Sequence, residues 1–316
     1  MIKSFCLAPM EGITGYVFRN AFHQCFRGVT HYMSPFISPG HGGIGITKRD
    51  RRDILPENNA GIPLVPQILT NRAEDFLHTA QLLKDCGYRE LNLNLGCPSG
   101  TVAAKNKGSG FLSELDALDA FFDELFEKLD PELTVSVKTR IGRCDPDEFP
   151  ALMEIYNRYP ISELTIHPRV QKEFYRGHVH MDAFAYAVRV ARMPLCYNGD
   201  ILDIEDIQRI EEQFPSVEHM MLGRGLLRDP LLAEAWFAGG YPEDSRERLC
   251  RFHDCLLQSY SRSFQFENAT LCRMKELWFY LGARFPGCER ELKKIKKSRT
   301  LTEYQQWAEK ICRDFL

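Results

Sequence analysis

The sequence has no apolar run approaching the roughly 20 residues that cross a bilayer as a helix, which excludes a helical membrane span. Its opening stretch, Met1-Ile2-Lys3-Ser4-Phe5-Cys6-Leu7-Ala8-Pro9-Met10, lacks the apolar core of a secretion signal, so no export is expected. The 11 cysteines are odd in number and contain no Cys-x-x-Cys pair, and Cys250 and Cys255 have no matching His or Cys pair. A zinc site or any other metal is therefore not expected, nor is a disulfide framework. Low-complexity segments are missing too, and no repeat longer than a strand–helix unit recurs. What these absences leave is a reduced, cytoplasmic, membrane-free protein.

The 316 residues are 44% hydrophobic and 26% charged, which suits a packed core and excludes disorder. Net charge is −3, unevenly divided: residues 241–316 hold 15 Lys/Arg against 11 Asp/Glu, a balance of +4, leaving −7 for residues 1–240. A weakly basic tail on an acidic body hints at an anionic partner for the tail.

Short apolar runs alternate with helical patterns. The runs are Phe5–Ala8, Val29–Phe36, Ile62–Ile68, Glu90–Leu95, Leu133–Lys138, Glu163–His167, Pro194–Asn198 and Glu218–Leu222. Helices are expected over Arg72–Cys86, Glu114–Leu129, Asp147–Tyr159, Met181–Ala191, Ile204–Phe214 and Pro230–Phe237. Alternation of this kind predicts a parallel sheet. Eight strands fit an α/β (β/α)8 TIM barrel of about 250 residues better than an open sheet. The second unit departs from the pattern: glycine-rich Pro39–Ile46 and the charged run Lys48-Arg49-Asp50-Arg51-Arg52 read as a hairpin or excursion rather than a helix. After Gly239-Gly240-Tyr241-Pro242 the pattern is helical throughout. The expected organisation is a barrel over residues 1–240 and a small helical domain over 241–316.

Barrel enzymes place their chemistry at the C-terminal strand ends. Those ends are polar here: Pro9-Met10-Glu11-Gly12, Gln67, Asn94 with Cys97, Lys138 with Arg140, His167 with Arg169, Asn198-Gly199-Asp200, and Gly223-Arg224-Gly225. Most cysteines serve as small buried hydrophobes. Cys97 differs, because it follows a strand end and precedes Pro98 and a flexible segment broken by Gly108-Ser109-Gly110, an arrangement that presents a thiol in a mouth. Lys138 follows Val135 and Val137 and is expected to share their inward face, where an unpaired charge is costly. Gly199, Gly223 and Arg224 lie after strands seven and eight, where such barrels bind phosphate. Gln67, Asn94, Lys138 and His167 suit the edge of a heteroaromatic ring, and a flavin mononucleotide (FMN) fits the set, since a cation near its pyrimidine edge stabilises the reduced form.

Ala8-Pro9-Met10-Glu11-Gly12, Gln67, Asn94-Leu95-Gly96-Cys97-Pro98-Ser99, Gly108-Ser109-Gly110-Phe111-Leu112, Ser136-Val137-Lys138-Thr139-Arg140, His167-Pro168-Arg169, Asn198-Gly199-Asp200 and Gly223-Arg224-Gly225 resemble, in order from residue 7 to about 230, the tRNA-dihydrouridine synthases. The resemblance implies an FMN barrel that uses NADPH to reduce a uracil in tRNA, with the helical tail binding the tRNA; a monomer is expected. Cys97 would protonate C5 while FMN delivers hydride to C6. Pro9, Met10, Gln67, Lys138, His167, Asn198, Gly199, Asp200, Gly223 and Arg224 would bind FMN, and Asn94, Arg140 and Tyr175 would face the base. Three positions depart from the family pattern: Gly100 replaces a frequent lysine, His31-Tyr32-Met33-Ser34-Pro35 lacks the usual Thr-Glu, and Thr14-Gly15 replaces Thr-Asp.

In the tail, Arg290, Lys293, Lys294 and Lys297 recur at i, i+3, i+4 and i+7, so a helix gathers them on one face as a candidate tRNA contact. Two other functions stand beside this one. An FMN barrel acting on a free pyrimidine, like a dihydroorotate or dihydropyrimidine dehydrogenase, needs no RNA-binding tail. A non-catalytic RNA-binding barrel needs neither Cys97 nor Lys138.

Overall fold

The computed structural model describes residues 1–40 and 45–315. Nine parallel strands run in chain order: β1 (Ser4–Leu7), β2 (Val29–Met33), β3 (Leu64–Val65), β4 (Gln67–Ile68), β5 (Glu90–Leu95), β6 (Thr134–Arg140), β7 (Leu164–His167), β8 (Leu195–Tyr197) and β9 (His219–Leu222). They pair in the order β3-β2-β1-β9-β8-β7-β6-β5-β4. Pro66, which has no N–H for a ladder, separates β3 from β4. Because β3 pairs with β2 and β4 with β5, the expected strand at 62–68 is one stave broken at this proline, and it closes an eight-stave barrel.

Register fixes what faces inward. In a parallel sheet paired residues share a face, and Gln67 pairs with Asn92, Asn92 with Ser136, Asn94 with Lys138, and Lys138 with Thr165. These polar side chains fill the barrel, while Leu91, Leu93, Leu95, Val135 and Val137 point outward and are fully buried beneath the helices. Lys138 is thus inward, but not on the face of Val135 and Val137. It directly follows Val137, and side chains alternate with period two.

The helices of the barrel are α1 (Tyr16–Cys25), α2 (Lys48–Ile54), α3 (Ala73–Asp85), α4 (Gly100–Ala103), α5 (Leu115–Lys128), α6 (Phe149–Tyr156), α7 (Met181–Val190), α8 (Ile204–Gln213), α9 (Arg224–Arg228) and α10 (Leu232–Ala238). Helix α2 corrects the expectation that the charged run 48–52 is non-helical. Thr47 caps it by accepting the Asp50 N–H at 3.1 Å, and Ile54, one residue beyond the charged run and its neighbour Asp53, supplies the buried anchor. Residues 41–44 of the glycine-rich run Pro39–Ile46 lie outside the described residues.

Four helices follow: α11 (Ser245–Ser263), α12 (Glu267–Leu281), α13 (Glu289–Lys297) and α14 (Leu301–Asp314). They are docked firmly on the barrel. Phe252 of α11 inserts edge-on among Phe18, Phe22 and Phe26 of the α1 segment, with ring centroids 5.5, 6.1 and 5.0 Å away. Arg248 donates to the Cys25 carbonyl at 2.9 Å and pairs with Glu234. Within the bundle, Trp278 donates to the Tyr304 hydroxyl at 2.8 Å, and that hydroxyl meets His253 Nε2 at 2.6 Å, so the buried polar groups satisfy one another. Phe252→Ala is expected to cost about 3–5 kcal/mol, the usual range for a buried phenylalanine, and to loosen the bundle before the barrel. Hydrogen exchange reads this directly: protection should fall in α11–α14 first, and an even loss across the chain counts against the docking role.

Candidate active site

The C-terminal strand ends enclose a cavity of about 290 Å³. Every barrel residue expected to act on, or bind, the flavin or the base lines it: Pro9, Met10, Gln67, Asn94, Cys97, Lys138, Arg140, His167, Tyr175, Asn198, Gly199, Asp200, Gly223 and Arg224; Gly12 and Arg169, also singled out at the strand ends, do not. The four tail residues do not. Arg290, Lys293, Lys294 and Lys297 lie exposed on α13, away from the cavity.

A ladder of amides crosses the barrel interior and ends at the cysteine. Asn92 donates to Ser136 at 3.0 Å and accepts from Gln67 at 2.7 Å, and Gln67 Oε1 accepts from Asn94 at 2.7 Å. Asn94 Oδ1 in turn accepts the backbone N–H groups of Gly96 and Cys97 at 3.0 and 2.9 Å. Asn94, expected to face the base, is therefore also the clamp that sets the Cys97 turn. From the other side the Cys97 carbonyl accepts from the Ser109 amide at 3.1 Å and the Ser109 hydroxyl at 2.7 Å. The segment after Cys97 is not the flexible loop its glycines suggest: Gly108, Ser109 and Gly110 are buried. Gly108 has φ +57°, and a Cβ there would lie 2.9 Å from the Cys97 carbonyl. Gly108 serves close packing over the cysteine, and Gly110 close packing on the Ala103 backbone.

Electrostatics divide the groups by protonation. Burial pushes the Cys97 thiol up, with the Ser99 amide and the Arg140 and Lys138 charges only partly offsetting it. The group is a neutral thiol at pH 7. Burial and the nearby Arg140 pull Lys138 down to about 8, and its amine has no hydrogen-bond or ion-pair partner among the described residues. His167 is held well below its ordinary range by burial and by four surrounding cations, so it is neutral. Its Nε2 lies 3.1 Å from Arg169 Nη1, which can only donate, so the proton of His167 sits on Nδ1.

A second polar cluster occupies the β8–β9 side. Asp200, a non-glycine residue at φ +40°, accepts from Arg169 and, at 2.6 Å, from Arg224. Burial opposes its charge, but the two guanidiniums hold its carboxyl below the usual range. Asn198 donates to the Met221 carbonyl at 2.8 Å, fixing the next strand end. The exposed ring of Tyr175 bridges this side to the cysteine. Arg140 and Arg224 lie 5.6 and 5.2 Å from its centroid, and His167 stacks at 6.1 Å. Arg140 is 1% exposed and donates to the carbonyls of Gly96, Val170 and Phe174 at 2.9, 3.0 and 2.7 Å. It thereby ties the cysteine turn to the Tyr175 loop, whose Phe174 sits at φ +52°.

Sequence reasoning missed Asn92, Ser136 and the anchoring role of Arg169. A signal existed for the first two, since alternation puts Asn92 beside Asn94 on the inner face. It also missed the approach of the bundle to the cavity, where α12 packs against α9, the helix that begins at Arg224.

The chemistry of this donor set fits a flavin. An unpaired lysine inside a cavity calls for an electron-rich ring edge, and Arg224, with its glycine neighbours, for a phosphate.

Comparison with known proteins agrees. Residues 6–309 match the family model described as Dihydrouridine synthase (Dus). A "Probable tRNA-dihydrouridine synthase" of Staphylococcus aureus (strain MRSA252) is 28% identical over 277 residues, covering 82% of this chain and 78% of the relative. "Probable tRNA-dihydrouridine synthase 2" of Bacillus subtilis (strain 168) is 30% identical over 236 residues, covering 73% and 71%. Among solved structures, morphinone reductase superposes with TM-score 0.52 at 12% identity, covering 77% of this chain and 88% of its own. Histamine dehydrogenase from Rhizobium sp. 4-9 gives TM-score 0.56 at 10% identity, covering 82% and 49%. At such identities these two show a shared barrel and nothing more. The match that runs from residue 6 to 309, through the cysteine turn and the lysine strand, places the chain in the dihydrouridine synthase family.

Proposed function

We propose that this protein reduces a uridine of tRNA to 5,6-dihydrouridine, with FMN held across the barrel mouth and NADPH as the reductant. The observation that carries the reading is a neutral thiol and an unpaired lysine facing one cavity, on a chain of this family. Gln67, Lys138 and His167 would hold the ring, with Pro9 and Met10 beside it. Asn198, Gly199, Gly223 and Arg224 would hold the phosphate end, and Asp200 orients Arg224. Bound there and reduced by NADPH, FMN would supply the hydride that enters C6 of the uracil. The Sγ–H of Cys97 gives its proton to C5, completing the addition of two hydrogens across the double bond, and the thiolate left behind regains a proton from solvent. Arg140 and Asn94 keep the thiol in place, and Tyr175 offers its ring to a uracil extruded from the RNA stack at a cost of a few kcal/mol.

The decisive experiment supplies FMN-loaded protein and NADPH to unmodified tRNA and maps dihydrouridine. Product at a discrete position supports the reading. Reduction of free pyrimidines with tRNA left untouched returns the chain to the free-pyrimidine alternative.

The exposed face of α13 fits the tRNA backbone. Arg290, Lys293, Lys294 and Lys297 are all exposed, while Leu292 and Ile295 turn inward and Glu291 is occupied by Lys310 at 2.8 Å. Phosphate contacts act through counterion release, so tRNA affinity should fall steeply with salt. Changing Lys293, Lys294 and Lys297 together to Glu is expected to raise KM for tRNA and to lower the slope of log Kd against log salt by about two to three. An unaltered slope would return the cluster to an ordinary solvated face.

A further inference from the structure

A second cavity of about 200 Å³ opens beside the first and shares Glu11 and Pro35 with it. It lies in the seam between barrel and bundle. On the barrel side stands Tyr16, half-buried at the start of α1, with the Arg52 guanidinium 5.3 Å from its ring centroid. On the bundle side Tyr260 and Phe264 stack at 5.5 Å with their planes 5° apart, and the Tyr16 hydroxyl meets Ser263 Oγ across the seam at 3.3 Å. Arg273 of α12 presses so near the loop after β1 that a Cβ on Gly12 would lie 3.2 Å from its Nη1.

The charges in this cleft are not equivalent. Arg49 is neutralised by Glu11 at 2.8 Å and Asp50 at 3.3 Å, and Arg273 pairs with Glu276. Arg52 is exposed and has no carboxylate partner among the described residues. The cleft therefore offers aromatic faces and one free guanidinium at its rim, a combination that suits a planar base carrying a phosphate. Its position supplies the reason for such a ligand. A uridine drawn into the barrel leaves its strand neighbours unstacked, and unstacked bases in RNA are taken up by aromatic side chains and guanidinium planes. We propose that this cleft receives a second nucleotide of the same tRNA, adjacent in the strand to the reduced uridine, with its base against Tyr16 and its phosphate on Arg52. The inference rests on the tRNA reading above. A dinucleotide coenzyme is the competing occupant. The cleft favours RNA because Tyr260, Ser263, Phe264 and Arg273 of the bundle close one side of it, and the bundle also carries the exposed basic face of α13.

The test uses FMN-loaded full-length protein, with Tyr16→Ala, Tyr16→Phe and Arg52→Ala compared with wild type. Four quantities are read: flavin content, the rate of flavin reduction by NADPH, Kd for tRNA by filter binding, and KM for tRNA. Tyr16→Ala is expected to raise Kd and KM for tRNA about 5- to 150-fold, the span of base–aromatic stacking, with the NADPH step unchanged. Tyr16→Phe should remain near wild type, because the ring and not the hydroxyl is used. Arg52→Ala, a surface change that leaves the fold intact, should weaken tRNA binding and lower the salt slope by about one. Unchanged tRNA affinity in both Tyr16→Ala and Arg52→Ala overturns the proposal. So does slowed flavin reduction with tRNA affinity intact, which would give the cleft to the coenzyme. A wild type that binds tRNA in a Tyr16-dependent way yet forms no dihydrouridine keeps the cleft and defeats the proposed reaction instead.

Discussion

Cys97→Ala is expected to slow dihydrouridine formation by about 10²–10⁴-fold, the usual worth of a positioned general acid, while the protein still purifies with its full flavin content. The expectation follows from position and protonation together. Asn94 and Ser109 fix the backbone of Cys97 from both sides, and Gly108 packs directly over it. Burial keeps the thiol protonated beyond its ordinary value of 9.0, so it holds a proton to give at neutral pH and offers no thiolate for nucleophilic chemistry. Two measurements check this. Reduction of the bound flavin by NADPH should keep its wild-type rate in Cys97→Ala, and only the tRNA-dependent reoxidation should fail. Cys97 itself should also cause no loss of rate between pH 7 and 9. Near-normal product formation by the alanine variant would remove the cysteine from the reaction and leave Asn94 and Arg140 positioning something else.

The contents of the mouth were legible because barrels expose strand ends, and polar residues at Gln67, Asn94, Lys138, His167 and Asn198 interrupt runs that packing alone would keep apolar. Face assignment was less secure. Lys138 lies next to the valines in sequence but opposite them in space, and only its pairing with Asn94 shows which way it points. Glycines were ambiguous in the same way: Gly108 and Gly110 look like hinges in a string of letters, yet Gly108 packs against Cys97 and Gly110 against Ala103 with no room for a side chain. Helix α2 was hidden because its charged run 48–52 carries no apolar residue; its anchor, Ile54, lies beyond Asp53. Tyr16, Arg52 and Arg273 were beyond reach for a different reason. Arg273 joins Tyr16 and Arg52 only because the bundle is docked on α1, as at Phe252 against Phe18, a contact across more than 200 positions that no local pattern encodes.

Lys138 yields the second large effect, and it has opposite signs in the two states of the protein. With FMN bound, a cation against the pyrimidine edge steadies the charge gained there on reduction, and removing one such preorganised group typically costs about 10²–10³-fold in rate. Lys138→Met should therefore slow turnover by that order. Without FMN the same amine is a liability, since it is pulled down to about 8 from an ordinary 10.5 by burial and by Arg140. Between those two values the unfolded chain binds more protons at this position than the folded one, so folding stability from this group rises with pH across the window and is lowest below pH 8. One pKa unit is worth about 1.4 kcal/mol, so Lys138→Met is expected to stabilise the flavin-free protein at pH 7 by roughly 2–3 kcal/mol, with the gain fading as pH approaches 10.5. Denaturant unfolding of flavin-free wild type and variant at pH 7 and pH 10 reads the difference directly. A variant less stable than wild type at pH 7 would mean that Lys138 has a structural partner in the empty cavity, and its part in holding the flavin would then have to be assigned to Gln67 and His167.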